Sequence, residues 1–490
     1  MILEKNVTAR ILEIARDLTQ PTEYAMLLQK IINDAMDITN CDGGTLYIMQ
    51  NGALAFMIMI TRSKNFCNGG DGQPVNLPPV ELNSTSVSAY VAREKMTKNI
   101  ADVYNDVEFN WEGPKKYDAL NGYHTQSELV VPLINHEQKV IGVLQLINAQ
   151  DASGNVVAFS NEEQTIVEAI SSLAAVSLSN RNMINQLQEL LDSIALSFTD
   201  AIETRTKFNA NHTRHVTEYC RGFADFLNDR ALNGGDNITL SDNQKAQLIM
   251  AASLHDIGKL SVPLDLLNKS DRLDYRLKEM KTRWRWLLTD LKVKYHSGMI
   301  DEEQYKADDA MYREFIEYIE KVNKAPFLPD EDIEKIENIN KVEYETSDGE
   351  VIDFITDEET HELCIRRGTL TAEERKEIEM HAVYTSKILE KITFGDKYDR
   401  VRFIAGAHHE ALNGSGYPQG LTAKDLPCEV RILTIMDIFD SLTVADRPYK
   451  KPHDKEGAVR ILREMVGEGK LDPELVELTA EYFERAELIV

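Results

Sequence analysis

The sequence predicts a multidomain chain: an N-terminal α+β domain, a connecting helix, and a C-terminal all-α domain carrying a charged insert. Three observations support this. Residues 1–180 alternate helical and strand-like hydrophobic patterns, residues 184–198 carry apolar side chains at heptad spacing, and residues 201–490 read as almost wholly helical. A chain of 490 residues also exceeds what one hydrophobic core usually organises. The boundaries that follow are 1–180, 181–200 and 201–490, with the insert at about 270–365.

In the first domain, Tyr24–Ile38 places Met26, Leu27, Ile31, Ile32 and Met36 at helical spacing. Thr45–Met49, Ala53–Ile60, Glu128–Ile134 and Val140–Asn148 read as strands, with Gly43-Gly44 and Asn51-Gly52 as turn residues. Ser160 and Glu163 form a capping box that opens a helix over Ser160–Asn180. Helix, antiparallel strands and helix together make an α+β domain. The stretches Ser127–Leu133 and Val140–Asn148, then Phe159 and Glu162-Glu163, resemble a GAF domain. That resemblance implies a sensory role and an unknown small-molecule ligand. GAF domains that bind cyclic nucleotides often have a Lys after the Asn, where this chain has Ala149.

Ile184, Leu187, Leu191, Ile194 and Phe198 follow a 3-4-3-4 spacing, an a/d seam over two heptads. Two readings are open: an amphipathic helix packed on its own domain, or a parallel helix pair holding a homodimer between sensor and effector.

The chemistry-bearing residues lie downstream, at His212, His255-Asp256, His381, His408-His409 and Asp437, with Asp440 one turn beyond. Leu248, Ala251, Ala252 and His255 share one helix face, as do Val401, Ile404, Ala405 and His408, and Val430, Leu433, Asp437 and Asp440. Thr371 and Glu374 form a capping box for the helix carrying Ile378, His381, Thr385 and Ile388. Each histidine alone reads as an ordinary core residue. Several inward-facing imidazoles and carboxylates together are too costly to bury unless something compensates them, and a metal does so. Seven such ligands serve two divalent ions better than one, and two ions can clamp a phosphodiester and activate water. Asp256 is placed to bridge them, and Lys259 can reach a phosphate from the same turn. His124, His136, His296, His361 and His453 lack such company.

His212, His255-Asp256 and Asp437 match the HD phosphohydrolase pattern. Adding His381, His408-His409-Glu410, Asn413–Pro418 and Asp440-Ser441-Leu442 through Asp446–Lys450 gives a resemblance to the HD-GYP subfamily over Asp200–Lys269 and Arg366–Glu484. The resemblance implies hydrolysis of cyclic di-GMP to pGpG, and on to GMP in many members. It also implies two divalent ions, Fe or Mn favoured, held by His212, His255, Asp256, His381, His408, His409 and Asp437. Asp256 and Lys259 are then the catalytic candidates. Lys259, Tyr417, Pro418, Asp440, Arg447 and Lys450 are the substrate-binding candidates. Some members tie a third metal to a Glu four residues before the first His; Phe208 stands there, so two ions are implied. His215 replaces a common Arg and is expected to pack or hydrogen-bond.

Composition sets outer limits. A net charge of −27 disfavours DNA and anionic membrane as partners. The charge mix of Met1–Gln20 is unlike a signal peptide, and apolar runs fall far short of the roughly 18 residues that span a bilayer, so a cytoplasmic protein is expected. The five scattered cysteines are expected to be free thiols. Helices are expected at Tyr275–Lys294 and Glu303–Val322 of the insert, with a hairpin around Asp348-Gly349. The insert's charge predicts a solvated helical excursion; the sharper reading is a lid or partner surface using Trp284 and Trp286. Two other functions remain compatible: an HD-class phosphohydrolase acting on a different cyclic dinucleotide or nucleotide, and a non-catalytic cyclic dinucleotide-binding signalling protein.

Overall fold

The computed structural model describes residues 13–14, 16, 24–70, 75–205, 211–234, 238–444 and 452–487. Two compact units meet at Leu190/Leu191. Phe208, Arg447 and Lys450 lie outside the described residues.

In the first unit α1 (Tyr24–Thr39) precedes β1 (Cys41–Gln50), β2 (Ala53–Thr61), β3 (Phe66–Gly69) and β4 (Val80–Glu81). Then come α2 (Val87–Glu94), β5 (Lys98–Ile100), α3 (Glu112–Asn121), β6 (Glu128–Ile134), β7 (Val140–Gln150) and β8 (Val156–Val157). The sheet runs β3-β2-β1-β7-β6-β5, with β4 on β2 and β8 on β7. Strict alternation splits its two faces. Leu46, Ile48, Leu129, Val131, Leu144 and Leu146 pack with α1 and with the start of the long helix that begins at Asn161, through Val167 and Ile170. Tyr47, Val130 and Val143 pack with Val87, Val91 and Trp111 on the other face. The sequence expectation captured the long strands; β3, β4, β5, α2 and α3 went unread because they are short or weakly periodic.

α4 (Asn161–Glu203) is one 43-residue helix, so no break separates the predicted helix at 160–180 from the predicted seam. Glu163 Oε2 accepts from Ser160 N at 2.7 Å, as the capping box requires. Ile184, Leu187, Leu191, Ile194 and Phe198 are all exposed, by 38–57%.

The second unit continues with α5 (His212–Leu232), α6 (Asp242–Leu254), a 3-10 turn at Ile257–Ser261 and α7 (Leu264–Leu267). The insert holds α8 (Arg276–His296), α9 (Glu302–Asn323), α10 (Asp330–Asn340), β9 (Glu343–Glu345), β10 (Val351–Asp353) and α11 (Asp357–Leu363). The unit closes with α12 (Ala372–Glu379), α13 (His381–Leu389), α14 (Val401–Gly406), α15 (Cys428–Thr443), α16 (Lys455–Gly467) and α17 (Pro473–Glu487). The end of α4, through Ala195 and Ile202, shares a core with α5, α6 and α13–α17.

The insert differs from the solvated excursion its charge predicted. It has a separate core around Met280, Trp284, Leu287, Tyr312, Ile319, Phe354 and Leu363. Trp284 is 1% exposed and its indole N–H donates to Phe354 O at 2.9 Å, so it is a core residue and cannot be a docking aromatic. Trp286 is 49% exposed. The neck is closed by Arg272, fully buried, whose guanidinium donates to the carbonyls of Ile365, Val322 and Ala325. All five cysteines are free. Among the described residues no helix is long and apolar enough to cross a membrane.

Candidate metal centre

Five separate segments bring seven imidazole and carboxylate groups together. His212 opens α5, His255 caps α6 and Asp256 follows it, His381 opens α13, His408-His409 follow α14, and Asp437 lies within α15. His212, His255, Asp256, His381, His408 and Asp437 are buried, and His409 keeps about a quarter of its side chain exposed. Among the described residues, three interlocking triads place one ligand atom from each member within 4.8 Å: His381/His408/His409, His212/His255/Asp437 and His255/Asp256/His408.

A shared local device aims three of the histidines. His255, His381 and His408 each put Nδ1 2.6–2.7 Å from the carbonyl three residues earlier, at Ala252, Ile378 and Ala405. A carbonyl only accepts, so each Nδ1 carries the proton and each Nε2 keeps a lone pair. Those lone pairs converge. His381 Nε2 lies 3.4 Å from His408 Nε2, and His255 Nε2 is buried with no hydrogen-bond partner. Facing, unprotonated acceptors are unfavourable without a cation between them. A backbone acceptor on the far ring nitrogen is also the usual support of a metal-binding histidine. Asp256 presents Oδ1 to His381 Nε2 at 3.5 Å and Oδ2 to His255 and His212 Nε2 at 3.5 and 3.8 Å, so its two oxygens face different histidines. The donor set fits divalent ions such as Fe, Mn or Zn.

The electrostatics agree. Burial, the largest influence on Asp256, would raise its pKa, but Lys259 and the surrounding histidines hold it well below the usual carboxylate range. Asp437 is likewise held low: burial, again the largest influence, would raise it, but the His212 hydrogen bond together with the charges of His212, His409 and His255 outweighs burial. Burial keeps His381 and His408 below the ordinary imidazole value and brings His409 down to about 4. His212 goes the other way: burial lowers it, yet hydrogen bonds to Asp437 and Asp440 lift it to about 10.

Lys259 pairs with Asp256 Oδ2 at 2.5 Å, with part of its side chain exposed. The Tyr417 ring lies 4.8 Å from that of His409, and Pro418 follows in the same loop. Asp440 needs correction as a substrate-binding candidate. It is fully buried behind the cluster, bonded to His212 Nδ1 at 2.6 Å and His215 Nδ1 at 3.1 Å. It can orient His212 but cannot touch a substrate. His215 hydrogen-bonds, as expected.

Sequence reasoning missed the supports. Thr385 Oγ1 donates to His255 O at 2.8 Å and accepts from Gly258 N at 3.0 Å, pinning the His-Asp turn to α13. A Cβ at Gly258 would collide with the His381 carbonyl, which explains the glycine before Lys259. Buried Glu410 accepts from Gln419 N and Leu421 N and so holds the Tyr417 loop. Thr385 stood on the His381 face in the sequence, four residues on; nothing there showed its partner.

Comparison with known proteins agrees with both halves. A GAF domain family model matches residues 23–178 and an HD domain family model matches residues 357–475. The second match takes in His381, His408, His409 and Asp437 but begins beyond His212, His255 and Asp256. A 3'3'-cGAMP-specific phosphodiesterase 3 of Vibrio cholerae is 37% identical over 107 residues, 22% of this chain and 22% of that protein. A cyclic di-GMP phosphodiesterase of Thermotoga maritima is 35% identical over 121 residues, 24% of this chain and 30% of that protein. The 3'3'-cGAMP-specific phosphodiesterase 1 of Vibrio cholerae is 34% identical over 290 residues, 59% of this chain and 41% of that protein. The chain thus spans less than half the length of each of these relatives. It carries a GAF domain in its N-terminal half and an HD domain, of a metal-dependent kind, in its C-terminal half, and these relatives are cyclic dinucleotide phosphodiesterases.

Proposed function

We propose that the chain is a metal-dependent phosphodiesterase of the HD-GYP kind that hydrolyses cyclic di-GMP to pGpG, with GMP formed slowly or not at all. The observation that carries this is the convergence of the Nε2 atoms of His255, His381 and His408, each with its Nδ1 on a backbone carbonyl, around Asp256 and Asp437. Two divalent ions, Fe or Mn, would be held there by these residues with His212 and His409. Such ions lower the pKa of water toward neutrality and neutralise phosphate charge. The protein's own groups do the rest. Asp256 stays ionised at neutral pH and so serves as ligand, not acid. Lys259, partly exposed beside it, offers a cation to a phosphate oxygen. Arg447 and Lys450 are candidates for a second phosphate or a guanine edge.

Regulation by the GAF domain would pass through the end of α4. Thr199 Oγ1 in α4 donates to Ser253 O at 3.0 Å, and Arg205 Nη1, two residues past the end of α4, donates to Leu260 O at 2.6 Å, so the end of α4 and the residues just after it hold the backbone on both sides of His255, Asp256 and Lys259. The exposed seam from Ile184 to Phe198 is the proposed homodimer contact. Charged substitutions at Leu187 and Leu191 should then lower the mass measured in solution.

A second reading, hydrolysis of 3'3'-cGAMP, is favoured by the relatives named for that substrate. Chromatography of products from metal-loaded full-length protein given each cyclic dinucleotide decides between them. Formation of pGpG is the expected result, and no product from cyclic di-GMP would sink the first reading.

A further inference from the structure

Next to His409 lies a recess of about 220 Å³. Its walls include His408 and His409, which also belong to the metal cluster, with Tyr417, Ile438, Met465 and Lys470. We propose that this recess holds one guanine base of the cyclic dinucleotide, with Lys470 as its specificity-determining residue; the proposal rests on the phosphodiesterase reading above.

Size is the first argument. Sites that bury a whole drug-sized ligand run to about 300–1,000 Å³. The recess is smaller, so it can take one heterocycle and not a dinucleotide. Position is the second. Because His408 and His409 wall both spaces, a base lodged here belongs to a nucleotide whose phosphate lies at the cluster. Shape and polarity are the third. The Tyr417 and His409 rings, 38° apart in tilt, form one side, and Ile438 and Met465 supply apolar contact for a base face.

The choice of base follows from which polar groups are free. Both Glu410 oxygens are taken by Gln419 N and Leu421 N. Thr434 Oγ1 and Ser415 Oγ spend their protons on His408 O and Asn413 Oδ1, so they keep only lone pairs for a ligand and cannot donate to one. Lys470 Nζ pairs with Glu468 at 2.6 Å, which uses one of an ammonium's three donors. A donor-only group suits the O6 and N7 acceptors of guanine and opposes the N6 amino group of adenine. Substrates with at least one guanine should therefore fit, and cyclic di-AMP should not.

The test compares kcat/KM for cyclic di-GMP with that for bis(p-nitrophenyl) phosphate, a phosphodiester with no base, in full-length metal-loaded protein. Lys470→Met, which keeps the apolar stem, should lower the ratio about tenfold, mostly through KM, and narrow the preference over cyclic di-AMP. Met465→Trp, which fills the recess, should lower the ratio by a different route, so the result does not hang on one variant. If both variants keep the wild-type ratio and base preference while the wild type cleaves cyclic di-GMP, the guanine site is wrong. If the wild type cleaves bis(p-nitrophenyl) phosphate but no cyclic dinucleotide, the parent reading fails and this one with it.

Discussion

Both units bury carboxyl groups, and they treat them in opposite ways. In the GAF unit Glu128, 1% exposed, is pushed up to about 7. Burial dominates there; the hydrogen bond from Gln145 only partly offsets it, and the Asp106 charge adds to the rise. In the HD unit Asp256 and Asp437 are also buried but are held low, because imidazoles, joined at Asp256 by Lys259, outweigh burial. A buried carboxyl left to itself takes a proton, whereas one set among cationic or metal-ready groups stays an anion. The HD unit is thus built to gather positive charge around fixed anions. Glu128 marks a place where burial disfavours charge.

The sharpest way to break this contrast is to remove an anion from the cluster. Asp256→Ala or Asp437→Ala should cut phosphodiester hydrolysis at least about a hundredfold and take metal with it. Loss of activity with full metal content would mean that these carboxylates are not ligands. Asp440→Asn should have a smaller effect, about 10–100-fold in metal affinity, because it disturbs the orientation of His212 while sparing every ligand. A change in KM alone would instead restore Asp440 to the substrate side.

Within the HD unit the insert offers its own contrast. Trp284→Ala should destabilise by about 3–5 kcal/mol, and Trp286→Ala by no more than about 0.5 kcal/mol, as read by denaturant unfolding. Equal effects would refute the separate core. The last effect is confined to the GAF unit. Glu128 has a raised folded pKa, so its contribution is full below about pH 4.5 and is lost as pH rises through about 7, a span of about 3 kcal/mol. Amide exchange in β6 should therefore quicken from pH 5 to 8, beyond the intrinsic rate, in the wild type and not in Glu128→Gln. Identical pH profiles would show that Glu128 is ionised throughout.

Much of the site could be read from the chain, for a physical reason. A ligand on a helix must share a face with apolar residues, so Leu248, Ala251 and Ala252 announced the direction of His255, and Val401, Ile404 and Ala405 that of His408. Periodicity gives direction but not partners. It placed Asp440 on the inward face yet could not show that His212 and His215 already occupy it. The insert misled for a related reason: its charges lie on helix faces that cover a core, and composition averages the two faces together. Trp284 and Trp286, two residues apart on α8, were read as equivalent; helical geometry points them to different sides.

Seven side chains from five segments are proposed to make a two-ion centre. Elemental analysis of full-length protein, purified without oxygen, tests it most directly when paired with His255→Ala. His255 is the residue whose buried Nε2 has no hydrogen-bond partner. A two-ion centre requires two divalent ions per chain in the wild type and loss of metal in the variant. One ion or none in the wild type, or a variant that keeps its full complement, would contradict it.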